Sequence, residues 1–265
     1  MAAPSPLCAP QIALTSLSMV ERETTFAGNR RPGDVSAALA ALRDHLAELQ
    51  LPQIAHGRRA IILFEGPQGS AKKYALKQLA AAFDPCHFSV HPTAFDRREA
   101  NEGHWLARFW RQLPTAGNTS IFFRSWYRRV LDDRVLGRTV EETIPRVFDE
   151  INEFEAQQRD YGTLLVKLYF DVSADVQEQR LALRRQNPWR TRVAIDDFIR
   201  ADDPAYQNAL TELRANTDTR WSPWRTIDGD DEAQAALATL ETIAEAWSKA
   251  MPAEPPQLVA APRVA

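Results

Sequence analysis

The chain has 265 residues, of which 45% are hydrophobic, enough for a real core in one large domain or two small ones. A formal net charge of -3 gives no general pull toward nucleic acid, so polyanion binding has to come from local arginine clusters. Two cysteines without a CxxC pair, five histidines without an HExxH arrangement and no long apolar run argue against a disulfide scaffold, a structural metal site and a membrane span. The N-terminus shows no basic stretch followed by a signal-type apolar run, so a cytoplasmic location is the expectation.

In chain order, residues 1–33 read as an irregular arm. Apolar residues from Val35 to Leu51 recur at helical spacing, which predicts a helix over 35–54 ended by Pro52. A βα pattern follows. Residues 60–64 form a continuously apolar strand, 70–82 a helix stopped by Asp84-Pro85, and 87–91 a second strand. A helix is expected over 98–112, a buried strand over 119–123, and helices over 125–136 and 141–159. Residues 164–170 are a further strand interrupted by Lys167, and 173–185 a polar helix ended by Asn187-Pro188. The arginine-rich stretch 188–201, with Asp196-Asp197, reads as a lid or connection. A helix over 203–216, a strand over 224–227, a helix over about 231–250 and a Pro-rich tail complete the chain.

Apolar strands separated by helices imply an α/β fold with a mostly parallel sheet covered on both faces. One domain over 34–252 with a tail over 253–265 follows, and no internal repeat is evident. Ligands on such sheets bind at the carboxyl ends of the strands. Segments 65–73, 123–129 and 171–173 all follow strand ends and share that rim.

The segment after the first strand, Gly66-Pro67-Gln68-Gly69-Ser70-Ala71-Lys72-Lys73, has the strand–turn–helix context of a phosphate loop. Gly66 and Gly69 permit tight turns, backbone amides can face an anion, and Lys72 and Lys73 add positive charge. A full GxxxxGK[ST] match is absent, because Ala71 stands where the second glycine belongs and Lys73 replaces the hydroxyl residue. The alternative reading is a turn kept for fold reasons with two solvated lysines. Arg124, Arg128 and Arg129 follow the third strand, Arg134 and Arg138 extend them, and Arg180, Arg184, Arg185, Arg190 and Arg192 form a second band. Such bands suit a chain of phosphates or, equally, surface pairing with nearby acids. Trp126, Tyr127, Trp221 and Trp224 read as core or interface anchors.

Together, FEGPQGSAKK at 64–73, RFWRQLPTAG at 108–117, FFRSWYRR at 122–129 and NTDTRWSPWRTI at 216–227 resemble the polyphosphate kinase 2 family, co-linearly from about residue 40 to 250. The resemblance implies a P-loop NTPase-like three-layer α/β/α sandwich with a helical lid, Mg²⁺-dependent transfer between polyphosphate and nucleoside mono- or diphosphates, and assembly as dimers or tetramers. The family loop is similar to GxDxxGKG. Gly66 matches its first glycine and Lys72 its lysine; Gln68 stands at its catalytic acid, Ala71 at its second glycine and Lys73 at its final glycine. The later string resembles FDRSWYNR, with Phe123 at the second acid and Arg128 at the asparagine. Asp133 and Arg134 resemble a Glu-Arg pair, Gly137 a glycine and Lys167 a strand lysine, while PWRTRVAID lacks the lid Trp-Lys pair in register.

The resemblance therefore assigns Lys72, Arg124 and Arg129 to catalysis. The loop chemistry, the arginine band and the resemblance together place Gly66, Gly69, Lys72, Lys73, Arg128, Arg134 and Lys167 at phosphate. Losing the acids at Gln68 and Phe123 implies a catalytically degenerate homologue that binds polyphosphate or nucleotide, or acts as a regulatory or structural partner. No metal ligand is assigned, and Mg²⁺ is expected only if activity survives through Glu65, Asp132, Asp133 or Asp171. That active phosphotransferase is the alternative. The expected partners are the chain itself or an active homologue, with neither nucleic acid nor membrane; a tandem subgroup of the family pairs one degraded with one active unit.

Overall fold

The computed structural model describes residues 32–94, 103–192 and 198–256. Nearly all of the arm expected over 1–33 lies outside them. So do the start of the helix expected over 98–112, the Asp196-Asp197 pair and the end of the tail.

Strand β1 (Arg59–Glu65) is buried from Ala60 onward, so it can sit only in the middle of a sheet covered on both sides. Around it lie β2 (Phe88–Pro92), β3 (Thr119–Phe123), β4 (Thr163–Asp171) and β5 (Trp224–Asp228). Their order is β2-β3-β1-β4-β5 and every neighbouring pair is parallel. The chain lays β2 and β3 on one side of β1, then crosses to place β4 and β5 on the other. The connections after β1, β3 and β4 therefore leave one carboxyl edge.

Side chains alternate across the sheet and split the core in two. Ile62, Phe64, Val166, Leu168 and Phe170 pack against α1 (Pro32–Ala55), α2 (Lys72–Ala80) and α9 (Glu232–Ala250). Ile61, Leu63, Leu165 and Tyr169 face α5 (Ile144–Asp160) and α8 (Pro204–Thr217). This is the three-layer α/β/α sandwich. Short helices α3 (Ala107–Trp110) and α4 (Asp132–Val135) flank β3 in chain order, and α6 (Ala174–Arg185) and α7 (Pro188–Arg192) follow β4. Gln53 ties the α1/α9 layer to the sheet: its amide donates to Thr119 Oγ1 at 2.9 Å and its carbonyl accepts from Trp247 Nε1 at 3.0 Å.

Some boundaries differ from the sequence reading. Helix α1 runs through Pro52 to Ala55, because a proline in the last turn costs a single intrahelical bond. The helix expected over 125–136 is a 3₁₀ turn at Trp126–Arg129 followed by α4. Within 103–112, helix is confined to Ala107–Trp110. Trp126, Tyr127 and Trp224 are buried, as expected of anchors. Among the described residues no helix is long and apolar enough to cross a membrane.

Candidate functional site

The loop between β1 and α2 has a demanding backbone. Gly66 adopts φ 128°, and a Cβ there would lie 2.1 Å from the Phe170 carbonyl oxygen, so only glycine fits. Gly69 adopts φ 90°. Ala71, the residue before the helix, adopts φ 64°, a conformation that costs an L-residue strain and that glycine takes freely. The position that the family resemblance assigns to glycine thus keeps a glycine conformation with an alanine in it. Helix α2 then opens with Lys72 and Lys73 and has no acid in its first turn. Cations at a helix N-terminus oppose the macrodipole, which a bound anion would reverse.

Donors from inside the protein satisfy four successive carbonyls of this loop. The Lys72 ammonium is buried and donates to the carbonyls of Gly66 and, at 2.7 Å, Pro67, and to Ser70 Oγ. Gln177 Nε2 of α6 donates to the Gln68 carbonyl at 2.9 Å, and Arg180 donates to the Gly69 carbonyl at 2.8 Å. Arg180 also donates to the carbonyls of Gly229 and Asp230, which clamps α6, the loop and the end of β5 together. Gly229 is required there, since a Cβ would sit 2.6 Å from the Ser70 carbonyl oxygen. The Lys72 ammonium lies 5.7 Å from the centre of the Phe123 ring. The structure thus brings Gly66, Gly69, Lys72, Lys73 and Phe123 together at one rim.

The arginines after β3 are arranged differently. Arg124 is wholly buried at φ 67° and pairs with Glu65 at 3.4 Å and Asp132 at 3.2 Å. The other Glu65 oxygen accepts from the Ser125 amide and hydroxyl at 2.6 and 2.7 Å. Arg128 is buried and donates to Asp133 at 3.1 Å, and Arg138 reaches the same carboxylate. The half-buried Arg129 lies over the Trp105 ring at 5.0 Å. Burial lowers its pKa, while Glu150 and Asp133 oppose that shift. Arg134 pairs with Glu141 and Glu212, and the hydrogen bond that it donates to Glu141 first of all holds its pKa well above the ordinary value.

Lys167, expected at phosphate, alternates along β4 with Leu165 and Tyr169 and so enters the α5/α8 layer. Its fully buried ammonium contacts Glu155 at 3.1 Å, the Thr217 carbonyl at 2.7 Å and the Tyr127 hydroxyl at 3.4 Å. Trp126 Nε1 completes the network by donating to Glu155 at 3.0 Å. Burial, followed by the Glu155 charge, raises the Tyr127 pKa well above its usual value, which keeps the phenol protonated.

A cleft of about 850 Å³ opens on the loop. Phe123, Val90 and Pro92 form one apolar wall. Lys73 and Lys77 come from α2, and Arg180, Arg184 and Arg190 from α6 and α7; Glu232 is the single carboxylate among the described lining residues. Lys73 and Lys77 are exposed and four apart, so they share a helix face, as do Arg180 and Arg184 opposite. Sequence reasoning noted the arginine band without Lys77 or Gln177. The i,i+4 spacing of Lys73 and Lys77 was the available signal.

A hard divalent cation needs several oxygen ligands, usually with one or two carboxylates among them. Neither Gln68 nor Phe123 is a carboxylate, and the Lys72 ammonium already occupies two loop carbonyls. Glu65, Asp132 and Asp133 are held by Ser125 and arginines. Asp171 is exposed, and one of its oxygens accepts from the Val172 amide. The residues present do not fit a Mg²⁺ site of the kind the family resemblance implies.

A family model described as Polyphosphate kinase 2 matches residues 31–255. The chain is 35% identical over 192 residues to a polyphosphate:AMP phosphotransferase of Pseudomonas syringae pv. tomato, covering 72% of this chain and 39% of that protein. It is 31% identical over 226 residues to ADP-polyphosphate phosphotransferase 3 of Rhizobium meliloti, covering 83% and 78% respectively. It superposes on the crystal structure of Polyphosphate Kinase 2 from Arthrobacter aurescens TC1 with a TM-score of 0.78 at 26% identity, over 92% of this chain and 88% of that one. The chain spans about two fifths of the length of the first of these relatives.

Proposed function

Because this chain belongs to the polyphosphate kinase 2 family, we propose that it engages the phosphates of polyphosphate or of a nucleotide in the basic cleft, with phosphoryl transfer far below ordinary family rates. One observation carries this reading. The nearby carboxylates Glu65, Asp132 and Asp133, which would have to replace the two missing acids, are each held by an arginine inside the protein. Turning one toward a metal would break a buried charge contact, which costs up to about 3–5 kcal/mol. Losing a group that stabilises charge in the transition state lowers a rate on the order of a hundredfold or more. In this reading the chain acts as a binding or regulatory partner, with itself or with an active homologue.

A second reading keeps transfer between polyphosphate and nucleoside mono- or diphosphates. The relatives' names favour it over loss of activity, since they describe polyphosphate:AMP and ADP-polyphosphate phosphotransferases. The side-chain geometry favours the first. An assay of the purified chain with polyphosphate, Mg²⁺ and AMP, ADP or GDP separates them. The first reading expects little nucleotide product from the wild type and a gain in the double variant Gln68→Asp with Phe123→Asp. Turnover of the wild type at about 1–100 s⁻¹, the ordinary kinase range, would refute it.

A further inference from the structure

We propose that the cleft binds its polyanion free of metal, and that Mg²⁺ weakens this binding. The inference rests on the anion-binding reading above and concerns the form in which the anion is held. Condensed phosphates exist in water either as free polyanions or as complexes of a divalent cation, and a site selects between the two. Selection of the complex needs oxygen ligands that replace part of the cation's water shell. Here the wall facing the loop is the Phe123 ring, with Val90 and Pro92 beside it, and an aromatic ring offers a hard cation no lone pair.

The charge balance points the same way. Lys73, Lys77, Arg180, Arg184 and Arg190 line the cleft against Glu232. The carbonyls that hold Arg180 orient it without cancelling its charge. Lys72 adds a resident positive charge within the loop, 5.7 Å from the Phe123 ring centre, and would repel a second cation placed there. The carboxylates behind the loop, Glu65, Asp132 and Asp133, are paired with Arg124 and Arg128. A bound Mg²⁺ cancels two charges of the anion, so the complex loses Coulomb attraction to every lysine and arginine of the cleft. Among the described lining residues, Glu232 is the single carboxylate that could offset that loss. Gln68 and Lys73 in the loop and Phe123 in the later string, all departures from the family pattern, shift the site in this one direction.

Calorimetric titration of the full chain with inorganic tripolyphosphate tests this, once in EDTA and once in saturating Mg²⁺. Monovalent salt equalises the ionic strength, because screening alone weakens such binding. The expected result is a dissociation constant about tenfold or more lower in EDTA. Lys73→Ala with Lys77→Ala, both exposed and therefore compatible with folding, should weaken binding in EDTA by about tenfold and narrow the difference between the two conditions. Equal or tighter binding in Mg²⁺ overturns the inference and leaves the anion site standing. Binding that the double variant leaves unchanged overturns the placement in this cleft. Absence of binding in both conditions overturns the inference together with the anion-binding reading on which it rests.

Discussion

Replacing Lys167 by methionine separates a structural lysine from a phosphate-contacting one. The substitution keeps the length of the side chain and deletes the ammonium. Glu155, the Thr217 carbonyl and the Tyr127 hydroxyl then lose a donor at 3.1, 2.7 and 3.4 Å respectively. Glu155 is wholly buried, so its charge is left in a low-dielectric interior. Breaking a buried ion pair by removing one partner costs about 3–5 kcal/mol. Trp126 still donates to Glu155, which favours the lower end, about 3 kcal/mol. For a chain of this size that lowers the melting temperature by roughly 6–12 °C. Urea unfolding followed by tryptophan fluorescence measures the loss, and tripolyphosphate titration of the folded variant measures binding. The expected outcome is a lowered urea midpoint with anion affinity unchanged. Adding Glu155→Gln removes the stranded charge while keeping an acceptor for Trp126, and should recover part of the stability. A variant as stable as wild type to within about 1 kcal/mol that had lost tripolyphosphate binding would refute the reasoning.

Ala71→Gly relieves a residue held at φ 64° and should raise stability by about 0.5–1 kcal/mol after the entropic cost of glycine, seen as a higher urea midpoint; a lower midpoint would count against strain at this position. Gly66→Ala forces a Cβ to 2.1 Å from the Phe170 carbonyl oxygen and should cost about 3 kcal/mol or more by the same measurement, with near-neutrality as the refuting result. Burial holds the pKa of His91 below its ordinary 6.5. The unfolded chain therefore takes up that proton first, and the His91 contribution is present above about 6.5 and lost as the pH falls. His91→Gln should flatten the fall in urea midpoint between about pH 8 and pH 5, and an unchanged slope would show that other groups carry it.

The sheet was legible because parallel strands buried on both faces leave near-continuous apolar runs, which 60–64 and, over Ile121 to Phe123, the third strand supply. The fate of Lys167 was legible too, through the alternation of Leu165, Lys167 and Tyr169 toward one layer, although matching it to a family lysine pointed to phosphate instead. The arginines after β3 were not legible. Their positions follow a strand end, but what Arg124 does depends on Glu65, 59 residues away in sequence, and on Asp132 at the start of the short helix α4. Spacing reveals neighbours along one helix and cannot reveal a partner brought in by the sheet.

The loop after β1 shows why its glycine pattern and its chemistry have to be read separately. Ala71 and Arg124 are the non-glycine residues with positive φ among those described, and both border the Glu65–Phe123 end of the sheet. Strain of this kind persists when the surroundings over-determine the backbone. Here they do: Lys72, Gln177 and Arg180 bind the carbonyls of Gly66 through Gly69, and the close approach of Phe170 to Gly66 closes the turn from the other side. A loop whose four carbonyls are held by three internal side chains keeps its shape without a ligand. Its shape is therefore evidence of family, while the charges facing the cleft are the evidence that bears on which anion it takes and in what form.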